Sequence, residues 1–346
     1  MNLRTRRGFV TALSGAAAAG LAGCLGSATG GQPSNKTRAS ASFFVFGDIA
    51  RHVAGDAATA ETLVPTGQHG HGWEPGPDVQ GRVLESDLLV HGMPGFQPWA
   101  DDIRTSLDAD GASVVSVDIT ADVDLHELGA DGGHAHDEHE GEHADDDHSN
   151  EDHETSESHD HDHDHDHGNV DPHFWLDPKR VATATQTLRK AFQSVDEANA
   201  EAYASNAAAY EDTLSDLDSA FESELASRTR DVVLVAGHNA YGYLEDRYDL
   251  TVVTLSGLSP DDDPTPRDIE RAQAAIADHG IQHILADPLE SDRAATQLVS
   301  ETDATDVLPF TSIPGLTPEW EEKQWGYVDI MRNVNLPSLR TALGAE

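Results

Sequence analysis

Cysteine occurs once, at Cys24, so no disulfide can form within the chain and no thiolate can serve a metal site in the domain beyond it. Lysine is almost as scarce, with four residues (Lys36, Lys179, Lys190 and Lys323). Against 21 basic residues stand 63 acidic ones, a formal net charge of −42. A surface this anionic repels phosphates and excludes DNA or RNA as a partner. The acids are spread along the chain, as expected where dense counterions screen surface carboxylates, so the charge speaks to high-salt solubility and not to fold. Neither His-Glu-x-x-His nor Gly-x-Ser-x-Gly occurs, and His69-Gly70-His71 is not followed by the Asp-His of binuclear hydrolases. An enzyme needs an open metal position together with a placed base or nucleophile, and nothing here supplies that pair, so a binding protein is expected.

The first residues read as an address. Arg6-Arg7-Gly8-Phe9 precedes a short apolar stretch from Thr11 to Ala22, and Leu21-Ala22-Gly23-Cys24 follows. A basic start, a brief apolar segment and a small-residue cleavage site mark a secretory signal, and this one is too short for a permanent span of about 20 residues. The paired arginines are similar to a twin-arginine signal, and Leu-Ala-Gly-Cys is similar to a lipobox that would leave Cys24 lipidated. Residues 1–24 are therefore expected to be the signal and 25–42, rich in Gly, Ser and Thr, a flexible tether. The mature protein would be held on the outer face of the cell membrane by lipidated Cys24.

Beyond residue 42 short apolar runs alternate with helix-compatible stretches. Phe43–Phe46, Thr62–Val64, Leu88–Val90 and Val114–Val117 read as strands of a first α/β lobe, residues 43–194. Val232–Val235, Val252–Leu255, His283–Leu285 and Val307–Phe310 read as strands of a second, residues 229–346. This rhythm implies βαβ units around parallel sheets. Apolar residues at spacings of three and four predict a helix over Lys179–Phe192, and a longer one within 195–228 joining the lobes. Thr265 and Pro266 have the character of an N-cap and a first helical residue. The tryptophans Trp73, Trp175, Trp320 and Trp325 read as packing residues. Residues 126–170 are almost wholly His, Asp, Glu, Gly and Ser, with eleven histidines between His134 and His167. Such a segment has no apolar surface to offset ordering entropy and reads as a disordered insertion. Its imidazoles suit weak, exchangeable metal sites that fade below about pH 6, as rings with a reference pKa near ~6.5 take up protons.

Three histidines stand apart from the insertion. His71 lies in Gly-His-Gly-Trp-Glu-Pro, His173 in Asp-Pro-His-Phe-Trp-Leu-Asp-Pro, and His238 in Val-Ala-Gly-His-Asn-Ala-Tyr. Each falls at a strand end or loop, where open α/β sheets place ligand residues.

These motifs, with Ser86-Asp87-Leu88-Leu89-Val90-His91-Gly92, Tyr203, Asn206 and Tyr210, and Tyr327-Val328-Asp329-Ile330-Met331-Arg332-Asn333, resemble the zinc- and manganese-specific solute-binding proteins of ABC importers. The resemblance runs from about Phe43 to Leu339. It implies an α/β solute-binding fold of two lobes, each a parallel sheet flanked by helices, joined by one long rigid helix. It implies metal ligands at His71, His173 and His238, a permease and through it an ATPase as partners, and a monomeric carrier. A histidine at the third position favours zinc over manganese, as ligand softness does. A fourth ligand is left open between His69, Glu319 and a water, because Thr311-Ser312-Ile313 carries no carboxylate where some members have aspartate. Gly70 also replaces a proline usual before the first histidine. A surface metal buffer or adhesin without an importer is the alternative reading, and a zinc hydrolase the remotest.

Overall fold

The computed structural model describes residues 36–70, 72–127, 170–257 and 264–345. The signal, most of the tether, His71 and all eleven insertion histidines lie outside the described residues.

The first half runs β1 (Thr37–Ala41), α1 (Phe44–Ala54), β2 (Ala58–Thr62), α2 (Val79–Leu84), β3 (Leu88–His91), α3 (Pro98–Asp110) and β4 (Val115–Asp118). Its sheet is wholly parallel in the order β2-β1-β3-β4. Phe43–Phe46, expected as the first strand, instead enters helix α1, and the strand is Thr37–Ala41, inside the stretch expected as tether. The reason is steric. A central strand of a covered sheet needs small side chains that fit under helices, and Ala39, Ser40 and Ala41 are all fully buried. The large Phe43, Phe44 and Phe46 serve better at a helix start, where they fill the layer beside the strand ends. Gly47 permits the same close layering, since a Cβ there would collide with the Thr62 hydroxyl.

Glu127 and Val170 form an antiparallel bridge that closes the base of the insertion. Asp171–Asp177 then turns through a buried 3-10 segment, Phe174–Leu176, into α4 (Pro178–Val195). Asp177 caps α4 by accepting from the Lys179 amide at 2.8 Å, and Pro178 takes the first helical position, where no amide proton is needed. The long helix α5 (Ala200–Leu225) falls within the 195–228 stretch expected for it. Asp196 accepts from Tyr203 Oη at 2.6 Å and Asn199 Nδ2 at 2.7 Å, holding Glu197–Asn199 as a separate 3-10 turn. At 1.5 Å per residue α5 is roughly 39 Å long. Tyr203, Ala207, Tyr210, Leu214, Leu217, Phe221 and Leu225 form its buried stripe, packing on α1 and α4 at one end and on the C-terminal helix at the other.

The second half repeats the plan: β5 (Val232–Val235), α6 (Gly242–Tyr248), β6 (Thr251–Thr254), α7 (Pro266–His279), β7 (His283–Ala286), α8 (Arg293–Glu301) and β8 (Asp306–Pro309). The strand order is β6-β5-β7-β8, again parallel throughout and matching the first sheet position for position. Thr265 caps α7 and Pro266 opens it, as the local sequence suggested, and Asp268 completes a reciprocal capping box with Thr265. Short helices α9 (Pro318–Glu322) and α10 (Tyr327–Ile330) lead into α11 (Leu336–Leu343), which packs on α5 and on β5 and β7. Trp175 and Trp320 are buried, in keeping with packing roles. No helix among the described residues is long and apolar enough to cross a membrane.

Candidate metal centre

In the order β6-β5-β7-β8, chain connections leave β5 and β7 in opposite directions, and the crevice beyond their C-terminal ends is where such sheets hold ligands. His238 lies three residues past β5 and Glu290 four residues past β7. The Glu290 turn is built by Asp287, which accepts from the Leu289 amide at 2.8 Å and from Thr311 Oγ1 at 2.5 Å, while its carbonyl accepts from the Glu290 amide at 3.0 Å. Gly237 gives the turn room, since a Cβ there would stand 3.1 Å from Glu290 Oε2. Asn239 donates its amide to the Gly257 carbonyl at 2.7 Å, which fixes the loop carrying His238.

From the first half, the loop after β2 reaches across to the second. Gly67 and Gly70 donate their amides to the carbonyls of Leu316 and Pro314, at 2.7 and 3.1 Å. Glycine at 70, where the resembling motif has proline, lets the backbone lie against Phe43 and Pro314; a Cβ would come within 2.8 Å of the Pro314 carbonyl oxygen. This docking delivers His69 to Glu290, with Nε2 at 3.4 Å from Oε1. His238 Nδ1 is 3.3 Å from the same oxygen. His69, His238 and Glu290 each offer a ligand atom within 4.8 Å of the others, the one such group of three among the described residues.

His173 completes the neighbourhood. Its ring centroid is 5.4 Å from that of His238, and the side chain is buried. Asp171 Oδ1 accepts both from His173 Nδ1 at 2.8 Å and from its amide at 2.9 Å. A proton held on Nδ1 leaves the lone pair of the neutral ring on Nε2, the arrangement of a carboxylate–histidine–metal triad. The motif is locked to the second half as well. Trp175 Nε1 donates to the Ser312 carbonyl at 2.7 Å, Tyr327 Oη to the Trp175 carbonyl at 2.6 Å, and Tyr243 Oη to the Asp171 carbonyl at 2.7 Å.

Electrostatics distinguish the two carboxylates here. Burial pushes Glu290 up, but hydrogen bonds and charge from His238 and His69 more than reverse this and hold it down at about 2. Burial pushes Asp287 up to about 6 against the hydrogen bonds from Thr311 and the Leu289 amide. Glu290 thus stays anionic far into the acid range, facing two imidazoles, whereas Asp287 takes up its proton just below neutral pH. The 3.3 and 3.4 Å separations are close to the edge of a tetrahedron with bonds of about 2.0–2.1 Å, roughly 3.3 Å, so Glu290 Oε1 stands about one such edge from each imidazole, and the three groups can converge on one small cation.

Of the residues expected as ligands, His173 and His238 are brought side by side, while His71 lies outside the described residues. His69, one of the open choices for a fourth ligand, stands in the cluster. Glu319 does not: it is exposed on α9 and paired with Lys323 at 2.7 Å. Glu290 was not singled out from sequence. Its place past β7 parallels that of His238 past β5, but in a chain with 63 acids a carboxylate at a strand end does not stand out.

The family model for the periplasmic component A of the zinc-uptake complex, ZnuA, matches residues 40–342. The chain belongs to this family. The high-affinity zinc uptake system protein ZnuA of Bacillus subtilis is 28% identical over 327 residues, 93% of each chain. The zinc-binding lipoprotein AdcA of Streptococcus pneumoniae is 28% identical over 316 residues, which cover 91% of this chain and 57% of that one. In fold, the Zn(II)-bound ZnuA-like domain of Streptococcus pneumoniae AdcA matches with a TM-score of 0.68 at 24% identity, over 89% of this chain and 99% of that domain. The lipoprotein YcdH of Bacillus subtilis gives the same score and coverage. Two parallel sheets flanked by helices are therefore the family architecture.

Proposed function

We propose that the chain is the extracytoplasmic zinc-capturing component of an ABC importer, binding the ion between its two sheets and delivering it to a permease coupled to an ATPase. The observation that carries this reading is the convergence of ligand atoms from His69, His238 and Glu290 within 4.8 Å of one another, with His173 beside them. Histidines with one carboxylate make a borderline donor set that suits zinc better than manganese. Four protein donors close the coordination shell, as storage or carriage needs, whereas a catalytic zinc keeps a position open. The proposed ligands are His173, His238, Glu290 and one imidazole from His69-Gly70-His71. Geometry supports His69 for that place and the family motif supports His71. The reading extends to export through the N-terminal signal, retention at the membrane by lipidated Cys24, and function as a monomer.

The test is zinc content of the purified mature chain lacking His134–His167, beside the same protein carrying Glu290→Gln or His173→Ala. About one equivalent of zinc is expected in the first and almost none in the variants. Negligible zinc in all three would sink the reading. The double change His69→Ala with His71→Ala is expected to abolish binding, and the two single changes assign the imidazole.

A further inference from the structure

The backbone at Gly70 is gripped from both halves of the protein. Its amide donates to the Pro314 carbonyl of the second half at 3.1 Å, and its carbonyl accepts from Gln97 Nε2 of the first half at 3.2 Å. Gln97 lies past β3 as the N-cap of α3, where its own carbonyl accepts from the amides of Ala100 and Asp101 at 2.8 and 3.2 Å. Its side chain is buried, and Nε2 also donates to the carbonyl of Ser42, just past β1, at 3.0 Å. Both of these neighbours are carbonyl oxygens, which only accept, so the contacts themselves settle which way the amide group faces. Gln97 Oε1 is buried too and has no hydrogen-bond partner among the described residues.

A buried acceptor left unpaired destabilises a fold, and such a group calls for an explanation. The two residues flanking the gripped position are His69 and His71. A neutral imidazole that binds a metal through one nitrogen carries a proton on the other, and an acceptor orients that N–H. His173 has Asp171 for this purpose. Oε1 of Gln97 shares its carbon with the nitrogen bound to Gly70, so it stands within a side chain's reach of both flanking residues. We propose that Gln97 is a positioning residue of the zinc site: its amide nitrogen sets the backbone at Gly70, and its oxygen accepts the ring N–H of the loop imidazole that takes the ion. This rests on the zinc-capture reading above and names the group that aims the ligand supplied by this loop.

Gln97→Met in the full mature chain keeps the length of the side chain and removes both of its hydrogen-bonding functions. Zinc affinity, measured by competition with a chromophoric chelator, is expected to fall about 10- to 100-fold, and the visible spectrum of the cobalt(II)-loaded protein to change with it. Ile103→Ala, which opens a cavity under the same helix in a separate core cluster, is expected to lower the melting temperature and leave zinc affinity in place. The decisive comparison is a double-mutant cycle. Of His69→Ala and His71→Ala, the change that costs more zinc affinity removes the loop ligand, and in that background Gln97→Met should cost nothing further. An unchanged affinity in Gln97→Met, or the same loss in both backgrounds, would overturn the proposal and make Gln97 a scaffold residue. Gln97→Asn, whose amide is withdrawn by one methylene, carries the same cycle if the methionine variant fails to fold. A wild type that holds no zinc would remove the capture reading on which the proposal rests.

Discussion

The two sheets share one strand order, yet the crevices beyond their central strands hold different chemistry. Past β1 and β3 the first crevice is filled with rings: Phe43 packs on Phe46, Phe96 and Trp175 at centroid distances of 5.4, 5.2 and 4.9 Å. Its histidine, His91, is buried with Nδ1 donating to the Gly92 carbonyl at 2.7 Å, and burial holds its pKa down. Past β5 and β7 the second crevice presents His238 and Glu290 to a cavity. Topology therefore supplies a place for a ligand twice, and side-chain volume decides whether that place is filled or used. The filled crevice is the anvil for the used one, because Trp175, packed among the phenylalanines, lies two residues beyond His173 and reaches Ser312 of the second half.

The widest gap between the crevices should appear on truncation. Trp175→Ala removes a fully buried side chain from an aromatic cluster and is expected to cost about 3–5 kcal/mol of stability. His238→Ala removes a side chain at a cavity wall, so the metal-free protein should melt within a few degrees of wild type while zinc binding falls by roughly a hundredfold or more. Calorimetry of the metal-free proteins and zinc titration separate the two. A His238→Ala protein as unstable as Trp175→Ala would mean that the second crevice is packing too.

Acid should pull the halves in opposite directions. For Asp287 the folded pKa, about 6, lies above the ordinary aspartate value of 3.8. Its contribution is therefore fully present below about pH 4 and lost as pH rises through 6, a swing of up to about 2–3 kcal/mol. For His91 the folded pKa lies below 6.5, so the unfolded chain takes up protons first and stability is lost as pH falls below that value. Melting of metal-free Asp287→Asn and His91→Gln at pH 7.5 and 5 checks this. Relative to wild type, Asp287→Asn should do better at the higher pH and His91→Gln at the lower. Matching trends in both would break the contrast.

Asp171 belongs to neither crevice and orients His173 from the side. Asp171→Asn keeps shape and loses the charge that supports the Nδ1 proton, so zinc affinity should fall about 10- to 100-fold with little change in melting. A loss of stability without a loss of affinity would make it a structural residue only.

Most of this plan was legible in the chain. Seven of the eight strands lie within a few residues of apolar runs, because a buried parallel strand leaves that trace. Thr37–Ala41 left none, since its burial is secured by smallness and not by hydrophobic character. His173 and His238 could be found because imidazole in a strand-end turn or a helix-entry loop is rare enough to stand out. Glu290 could not be found in that way: in a chain with 63 acids one more carboxylate carries no signal until the fold aims it. His69 was visible only as one choice among several, because its place depends on a loop docking against Pro314 and Leu316.

The smallest effect should come from the carboxylate that sequence did single out. Glu319 is exposed and pairs with Lys323 one helical turn away, in a solvated geometry that contributes at most about 0.5 kcal/mol. Glu319→Gln should leave zinc stoichiometry and affinity at wild-type values, and its melting temperature should shift by no more than about a degree. Measured beside Glu290→Gln, the same chemical change at two acids of the second half isolates position as the variable. One acid is held at about 2 by two imidazoles at the mouth of a cavity, and the other is solvated on a short helix. Loss of zinc in Glu319→Gln would mean that α9 swings into the crevice when metal binds, and the fixed geometry assigned to the site would have to be abandoned.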